Sequence, residues 1–461
     1  MNPILNFLRQ FFPPDLSLHY LRAEFPAILE TIEIAAAGML LATAAGLVVG
    51  LWAGSRLPGG RFLYSALVVV RSFPDIVLAL LCVVMFGVGP GPGMIAIAIF
   101  YGAAIGKIYT DLLRGAPRGP VTALEATGAT RIAIALFGLL PLRQSDLVSY
   151  AAFEFESAVR AAVIVGAVGG GGLGVELIGT INEFDYRRTS TLILMLIALV
   201  ALLDLAAQYV KKKPALLAIA LPFMAIALYY EWPGMVAFKH SMQAYAKMTP
   251  PSLSPDALRL LPALILQTLE IAFGGTLFAL VGAVPLSLCA ARNLAPQWLS
   301  IAGRRLLEGL RSIPEVVWGL ILVTGSILGP PAGIAALGLH STGSLGRLFA
   351  ESFENIAPEP VRGISATGAS RISTVVFAFL PMAAPTLAVH TLFRLEWNVR
   401  AATVVGIIGA GGVGEALFHA MQLFFYRQMM AYILLTGLLV AAVDFTSSHL
   451  RKALRLAELY V

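Results

Sequence analysis

Two halves of this chain repeat one another at a fixed offset of 240 positions. Arg71-Ser72-Phe73-Pro74 returns as Arg311-Ser312-Ile313-Pro314, and the run ATGATRI at 126–132 returns as ATGASRI at 366–372. Leu140-Pro141 pairs with Leu380-Pro381, Glu156 and Arg160 with Glu396 and Arg400, and Asp204 with Asp444. A glycine run at 169–174 pairs with GAGGVG at 409–414. A register kept without a gap over that distance predicts two copies of one folding unit. In such chains the functional site is expected on the pseudo-symmetry axis between the copies.

Composition then decides the solvent. Apolar types make up 58% of the 461 residues and charged types 13%, where soluble domains carry roughly 45–50% and about 25%. The chain is therefore read as an all-α polytopic membrane protein. Its net charge of +6 fits basic cytoplasmic loops rather than a nucleic-acid partner. Cys82 and Cys289 lie inside apolar runs and imply neither metal nor disulfide. The N-terminal stretch, broken by Pro13-Pro14, lacks the apolar core of a signal peptide.

A crossing needs about 20 mostly apolar residues. Spans are read near 31–53, 74–88, 93–112, 147–168 and 189–208, and again near 264–289, 313–328, 332–350, 387–408 and 429–446. The second is short, and its lead-in 62–73 is available to complete it. Five spans alone would invert the second copy. A further apolar stretch at 216–230, present in one copy only, restores the starting side. The expectation is two parallel five-helix repeats plus one linking helix, about 11 spans. The repeats occupy residues 1–210 and 263–461, with 211–262 as linker and external segment.

Charge sets orientation. With 54–72, 113–145, 209–214, 291–312, 352–385 and the C-terminus inside, nineteen Lys and Arg residues face the cytoplasm and eight the other side. The positive-inside rule then places the N-terminus outside and the C-terminus inside.

Between the third and fourth spans each half has a polar loop, RGAPRGPVTALEATGATRIAIALFGLLP (114–141) and ENIAPEPVRGISATGASRISTVVFAFLP (354–381). Proline opens a short helix in each, Gly128 or Gly368 ends it, and Leu-Pro follows thirteen residues after the glycine. Each loop reads either as an amphipathic connector or as a surface helix that docks into a groove of a soluble partner. Matched copies, in a chain with no energy source of its own, favour docking.

These loops resemble the coupling loop of ABC-importer permeases, whose pattern is Glu-Ala-Ala, a glycine shortly after, then Leu-Pro. Arg-Ser-(Phe/Ile)-Pro-(Asp/Glu), the 393–402 run Phe-x-x-Glu-x-Asn-Val-Arg-Ala-Ala and Gly-Ala-Gly-Gly-Val-Gly resemble, more narrowly, the phosphonate-importer permease subunit. The resemblance covers 31–208 and 264–450. It implies the type I ABC importer transmembrane fold, two copies of a permease subunit in one chain, and a place in the bacterial cytoplasmic (inner) membrane. It implies as partners two ABC ATPase subunits, which use ATP and Mg, and an extracytoplasmic phosphonate-type solute-binding protein. On the same footing Glu125, Thr127, Gly128, Arg131 and Pro141, with Thr367, Gly368, Arg371 and Pro381, are the expected ATPase-coupling residues. The match is imperfect: six before the glycine the pattern's Glu is Thr122 or Arg362, and Glu125 has Ser365 as its counterpart. Unequal grips on the two ATPases are expected.

The fourth spans carry Glu156 with Arg160 and Glu396 with Arg400, each acid four residues before its base. An ionised group at mid-membrane costs about 2.5–3.5 kcal/mol on insertion scales, so these must face protein or a watery cavity. Two readings stay open. In one, symmetry brings Arg160 and Arg400 to the axis, where planar guanidinium groups attract phosphonate, phosphite or phosphate while Glu156 and Glu396 hold them. In the other, each pair locks helix packing. Glu154 and Arg394 lie nearby without a like counterpart. Lys107 and Arg347 either line an inner vestibule or snorkel to the interface, and His340 reads as a packed, hydrogen-bonded group.

Gly169-x-Gly171-x-x-Gly174 and Gly409-x-Gly411-x-x-Gly414 fit a dinucleotide fingerprint but follow apolar spans instead of strands. They are expected to turn the chain or let helices approach. The run at 102–108 is one residue short of a phosphate loop. No nucleotide, metal or cofactor site and no catalytic group is expected in the chain. The leading reading is the permease of an ATP-driven importer. The alternative, an ion-coupled secondary anion transporter, calls for intramembrane carboxylates without basic partners.

Overall fold

A computed structural model describes residues 9–55, 57–212, 217–232, 235–324 and 329–453. Expectations that fall on Arg56, Lys213, Arg455 and 325–328, or on the side chains of Arg118, Asp204, Lys211, Lys212, Lys239 and Lys452, lie outside the described residues.

The chain divides into two compact units, Met1–Pro250 and Pro251–Val461. The first contains α1 (Leu18–Gly54), α2 (Gly60–Arg71), α3 (Asp75–Phe86), α4 (Pro90–Arg114) and α5 (Arg118–Ala126). It continues with α6 (Leu140–Gly166), α7 (Leu173–Asn182), α8 (Tyr186–Lys212), α9 (Leu217–Glu231) and α10 (Met235–Met248). The second repeats the first eight in order. These are α11 (Pro255–Ala290), α12 (Gln297–Ser312), α13 (Glu315–Thr324), α14 (Pro330–Glu354), α15 (Pro358–Ala366), α16 (Leu380–Val405), α17 (Gly412–Gln422) and α18 (Tyr426–Ala453). No strand occurs among the described residues. Since α9 and α10 have no second copy, adding ten to a label from α1 to α8 gives its counterpart.

Seven described helical segments are long and apolar enough to cross a bilayer: α1, α4, Arg131–Gly166, the Tyr186–Leu203 part of α8, α11, Arg371–Ala410 and α18. The pair α2 and α3, bent by 90° at Ser72-Phe73-Pro74, is long and apolar enough only when taken together, as a broken span or a re-entrant loop. Pro74 cannot continue the α2 hydrogen-bond ladder, and its ring disfavours helical geometry at Phe73. The other expected spans fall on the shorter α9 and α13 and on α14, whose middle is diluted by His340, Ser341, Thr342 and Ser344. Three helices were not anticipated: α7 and α17 between the fourth and fifth spans, and α10 within the expected external linker.

Small residues let the main helix pair of each unit approach closely. A Cβ on Gly46 of α1 would stand 2.7 Å from Ile105 Cγ2 of α4, and one on Gly275 of α11 would stand 2.8 Å from Leu337 Cβ of α14. Van der Waals contact between such faces is what joins helices when lipid is as apolar as leucine. Tyr109 Oη donates to Leu147 O at 2.8 Å and ties α4 to α6. In the first unit α9 covers α1 and α4, with Ala227 and Leu228 against Ala36, Ala37 and Met94.

The glycine runs form the joint between fourth-span helix and the short helix after it. A Cβ on Gly174 would meet Val163 O at 2.1 Å, and one on Gly414 would meet Thr403 O at 2.0 Å. No other residue fits without moving backbone. Thr31 Oγ1 accepts the N–H of Leu173 at 2.8 Å, and Thr268 Oγ1 accepts that of Val413 at 2.9 Å. The starts of α7 and α17 are thereby fixed to α1 and α11, satisfying backbone donors that lipid cannot.

Candidate functional site: coupling segments and intramembrane charges

The two loops between third and fourth spans fold alike. Helix α5 ends at Ala126 and α15 at Ala366. Thr127 Oγ1 then donates to Leu124 O and Thr367 Oγ1 to Ile364 O, both at 2.7 Å. Gly128 and Gly368 follow at φ 77° and 81°, the left-handed region that a Cβ disfavours, which is why glycine ends both helices. Thr130 Oγ1 accepts the N–H of Ala133, and Ser370 Oγ that of Ser373, each at 3.2 Å, restarting the helix.

From there the chain runs unbroken into the fourth span through π-helical turns at Ile134–Leu139 and Val375–Phe379. The cause is sequence-local. Pro141 and Pro381 lack an N–H, and in an α-helix their rings would press on the carbonyls of Phe137 and Phe377. A widened turn relieves that clash. A continuous helical segment therefore connects each surface segment to the intramembrane helix behind it.

Glu125, Gly128, Arg131, Thr367, Gly368 and Arg371 are all exposed, as are Pro141 and Pro381. Exposed apolar groups stand among them at matched positions: Ile132 with Ile372, and Phe137 with Phe377. The surroundings differ between units. In the first, a cavity of about 460 Å³ lies behind α5, lined by Arg114, Thr122, Glu125 and Arg131 among others. In the second, the register partners of Leu113, Ala116 and Leu139 are the larger Phe353, Ile356 and Phe379, which belong to one core cluster. Arg114 donates to Ala53 O at 3.1 Å and covers the Tyr64 ring. Its counterpart Glu354 accepts from Arg304 Nη2 at 2.7 Å and from the backbone N–H of Arg292 at 2.6 Å. Burial opposes the Glu354 charge, but those two donors outweigh it and hold the carboxyl below its ordinary value.

The intramembrane charges agree with expectation in one unit only. Arg160 Nη1 meets Glu156 Oε1 at 2.5 Å, and its Nη2 donates to Ser157 Oγ at 3.1 Å. In the second unit the expected Glu396–Arg400 pair is replaced. Arg400 Nη2 turns to Asp444 Oδ2 of α18 at 2.5 Å, while Glu396 accepts from Arg451 Nη1 of the same helix. Arg451 also donates to Ser447 Oγ at 2.7 Å and stands 4.1 Å from the Phe393 ring centroid. The physical reason is competition: α18 presents an acid and a base to the same face of α16, and exchange lets both acids and both bases be paired. Asp444, an acid inside the expected 429–446 span, which holds no Lys or Arg, was the available sign of this arrangement. Arg451 carried none, since a terminal arginine reads as an interface anchor.

His340 is buried and hydrogen-bonded, as expected: its Nδ1 lies 3.0 Å from Ile313 O, and its Nε2 lies 3.7 Å from Glu315. A second buried polar group was not expected. Ser341, Asn398 and Thr276 form a chain across α14, α16 and α11. Lys107 pairs with Asp111 at 2.8 Å and Arg347 with Glu351 at 3.1 Å along their own helices.

Known proteins carry the same plan. The family described as binding-protein-dependent transport system inner membrane component matches residues 42–216 and again 283–456. The chain is 26% identical to the phosphate-import permease protein PhnE of Mycolicibacterium smegmatis, across 98% of this chain and 89% of that one. It is 38% identical to the phosphite transport system permease protein PtxC of Stutzerimonas stutzeri, over 41% of this chain and 69% of that one. It is 44% identical to PhnE2 of Escherichia coli, named for a cryptic phosphonate transport system, over 25% of this chain and 96% of that one. The chain belongs to the binding-protein-dependent inner-membrane transport components, the permeases of ABC importers, and carries two copies of their domain.

Proposed function

We propose that this permease imports a tetrahedral phosphorus oxyanion (phosphonate, phosphite or phosphate) delivered by an external solute-binding protein. The observation that carries this reading is the substrate class shared by the names of these relatives, one of which matches across 98% of the chain. The chemistry agrees with it: each unit sets an arginine, Arg160 or Arg400, in a fourth-span helix with a carboxylate beside it. Paired guanidinium donors suit phosphorus oxyanions.

ATP and Mg are used by two separate ATPase subunits, which grip the segments around Gly128 and Gly368. Glu125, Thr127, Arg131 and Pro141 form that grip in the first repeat, and Thr367, Arg371 and Pro381 in the second. ATP binding moves α5 and α15, and the continuous helix through the π-turn carries the motion to Arg160 and Arg400. Residues 1–210 and 263–461 act as the two permease repeats and 211–262 as the linker. The N-terminus lies outside and the C-terminus inside.

The test is the double variant R160A/R400A in the full transporter. Uptake of radiolabelled phosphate or methylphosphonate is expected to fall at least tenfold while the ATPase subunits still co-purify. Unchanged uptake would return both residues to a packing role.

A further inference from the structure

Arg394 occupies the position on α16 that Glu154 occupies on α6: the two are register partners of opposite charge. Around Arg394 the second unit has built a support that the first lacks. Its Nε–H donates to Ser341 Oγ of α14 at 2.8 Å. Ser341 donates to Asn398 Oδ1 at 2.9 Å, Asn398 Nδ2 donates to Thr276 Oγ1 of α11 at 2.9 Å, and Thr276 donates to Ala272 O at 2.8 Å. Ser341 and Asn398 are fully buried. Each member of the chain has its donor engaged, so the serine oxygen is left as a fixed acceptor, and three helices hold the guanidinium in one place.

This support uses Nε and leaves the outer edge of the guanidinium, Nη1 and Nη2, with no hydrogen bond to the described protein. Glu315 attracts Arg394 from beyond ion-pair distance and is itself shared with His340. Arg311 adds a second positive charge nearby. A partly buried guanidinium fixed from behind, with a free two-nitrogen edge, is the arrangement that receives two oxygens of one anion.

The register partners remove the arginine and its hydrogen-bonded support from the first unit, while Arg311 keeps a like partner in Arg71. Ser341 is matched by Tyr101, Asn398 by Ala158, Thr276 by Ala36 and Arg394 by Glu154. Glu154 is hydrogen-bonded to Tyr150 and attracted by Arg160 and Arg71. At this register the second unit carries a basic side chain and the first an acidic one.

We infer that Arg394, seated by Ser341, is an oxyanion-binding residue that belongs to the second unit alone and takes a tetrahedral phosphorus oxyanion through Nη1 and Nη2. This rests on the reading of the chain as a phosphorus-oxyanion permease. The relay of Ser341, Asn398 and Thr276 positions the arginine without touching the anion.

The test uses the complete chain with its ATPase subunits in nanodiscs, without binding protein, titrated with inorganic phosphate, phosphite and methylphosphonate by calorimetry. R394A and R394Q are expected to weaken binding at least tenfold and R394K by a smaller factor, while E154Q stays within twofold of wild type. Binding within twofold in R394A, an equal loss in E154Q, or failure of both R394A and R394Q to assemble with the ATPase would overturn the assignment. ATP-driven uptake in proteoliposomes with binding protein separates the two levels. Uptake without detectable binding in nanodiscs overturns the role of Arg394 only. Absence of uptake for all three anions overturns the transport reading beneath it.

Discussion

The two units share a plan but not a charge distribution. Where the first has Arg114, Glu125 and Glu154, the second has Glu354, Ser365 and Arg394. The first holds its fourth-span arginine within one helix, through Glu156; the second holds its own across two helices, through Asp444. Backbone features do not diverge in this way. Gly128 and Gly368, Pro141 and Pro381, and Gly174 and Gly414 do the same geometric work in both. Duplication has thus preserved what shapes the helical segment and the joint, and released what sets charge beside it. In a transporter made of two identical subunits, every side chain on the passage occurs twice. A fused pair is free of that constraint, and residues 154 and 394 differ in the sign of their charge.

The largest effects are expected at the elements the two units share. G128W with G368W places an indole where φ is positive and both coupling segments turn, so neither segment can seat in an ATPase groove. Loss of ATPase co-purification and of all ATP-driven uptake is expected. Either single variant should leave the other segment engaged, and a normal yield of ATPase with the double variant would remove these segments from the coupling role.

Next come the divergent charges. Removing one partner of a buried ion pair costs about 3–5 kcal/mol, less where water reaches it, and Asp444 retains 25% of its side-chain exposure. D444N is expected to disturb Arg400 and lower uptake severalfold, whereas E396Q acts on Arg451 and leaves Arg400 in place. In the first unit E156Q should act directly on Arg160. Equal responses of E396Q and D444N in uptake and thermal unfolding would mean that the second unit is wired like the first.

The smallest effect tests the joint. A methyl group at Gly414 meets Thr403 O at 2.0 Å, and overpacking of this kind costs about 1–3 kcal/mol. G414A and G174A should lower the melting temperature by similar amounts. A neutral G174A beside a costly G414A would show that the joint is shared in sequence only.

Much of this was legible in the residues. The offset of 240 announced two like units, the apolar runs located the long helices, and Pro-bounded loops with Gly128 and Gly368 located the surface segments. The π-turns were not legible, although Pro141 and Pro381 caused them, because a proline near a helix start is ordinarily harmless. Helices α7 and α17 were hidden in the glycine runs, where a tight turn and a helix start share one composition. The pairing of Arg400 with Asp444 was missed because spacing within a helix reveals neighbours at four residues, while partners on a second helix depend on rotation that no periodicity states. Arg394 was passed over because symmetry was read as identity, when its partner at the same register was an acid.

The proposed function requires two permease copies in one polypeptide to admit a phosphorus oxyanion only when a separate ATPase drives them. Proteoliposomes holding this chain, its ATPase subunits and a phosphonate-type binding protein, loaded with ATP and supplied with labelled phosphate, phosphite or methylphosphonate, test it directly. Accumulation of at least one anion that requires ATP, both ATPase subunits and the binding protein is the expected result. Accumulation by the chain alone, driven by a proton or sodium gradient, would contradict it.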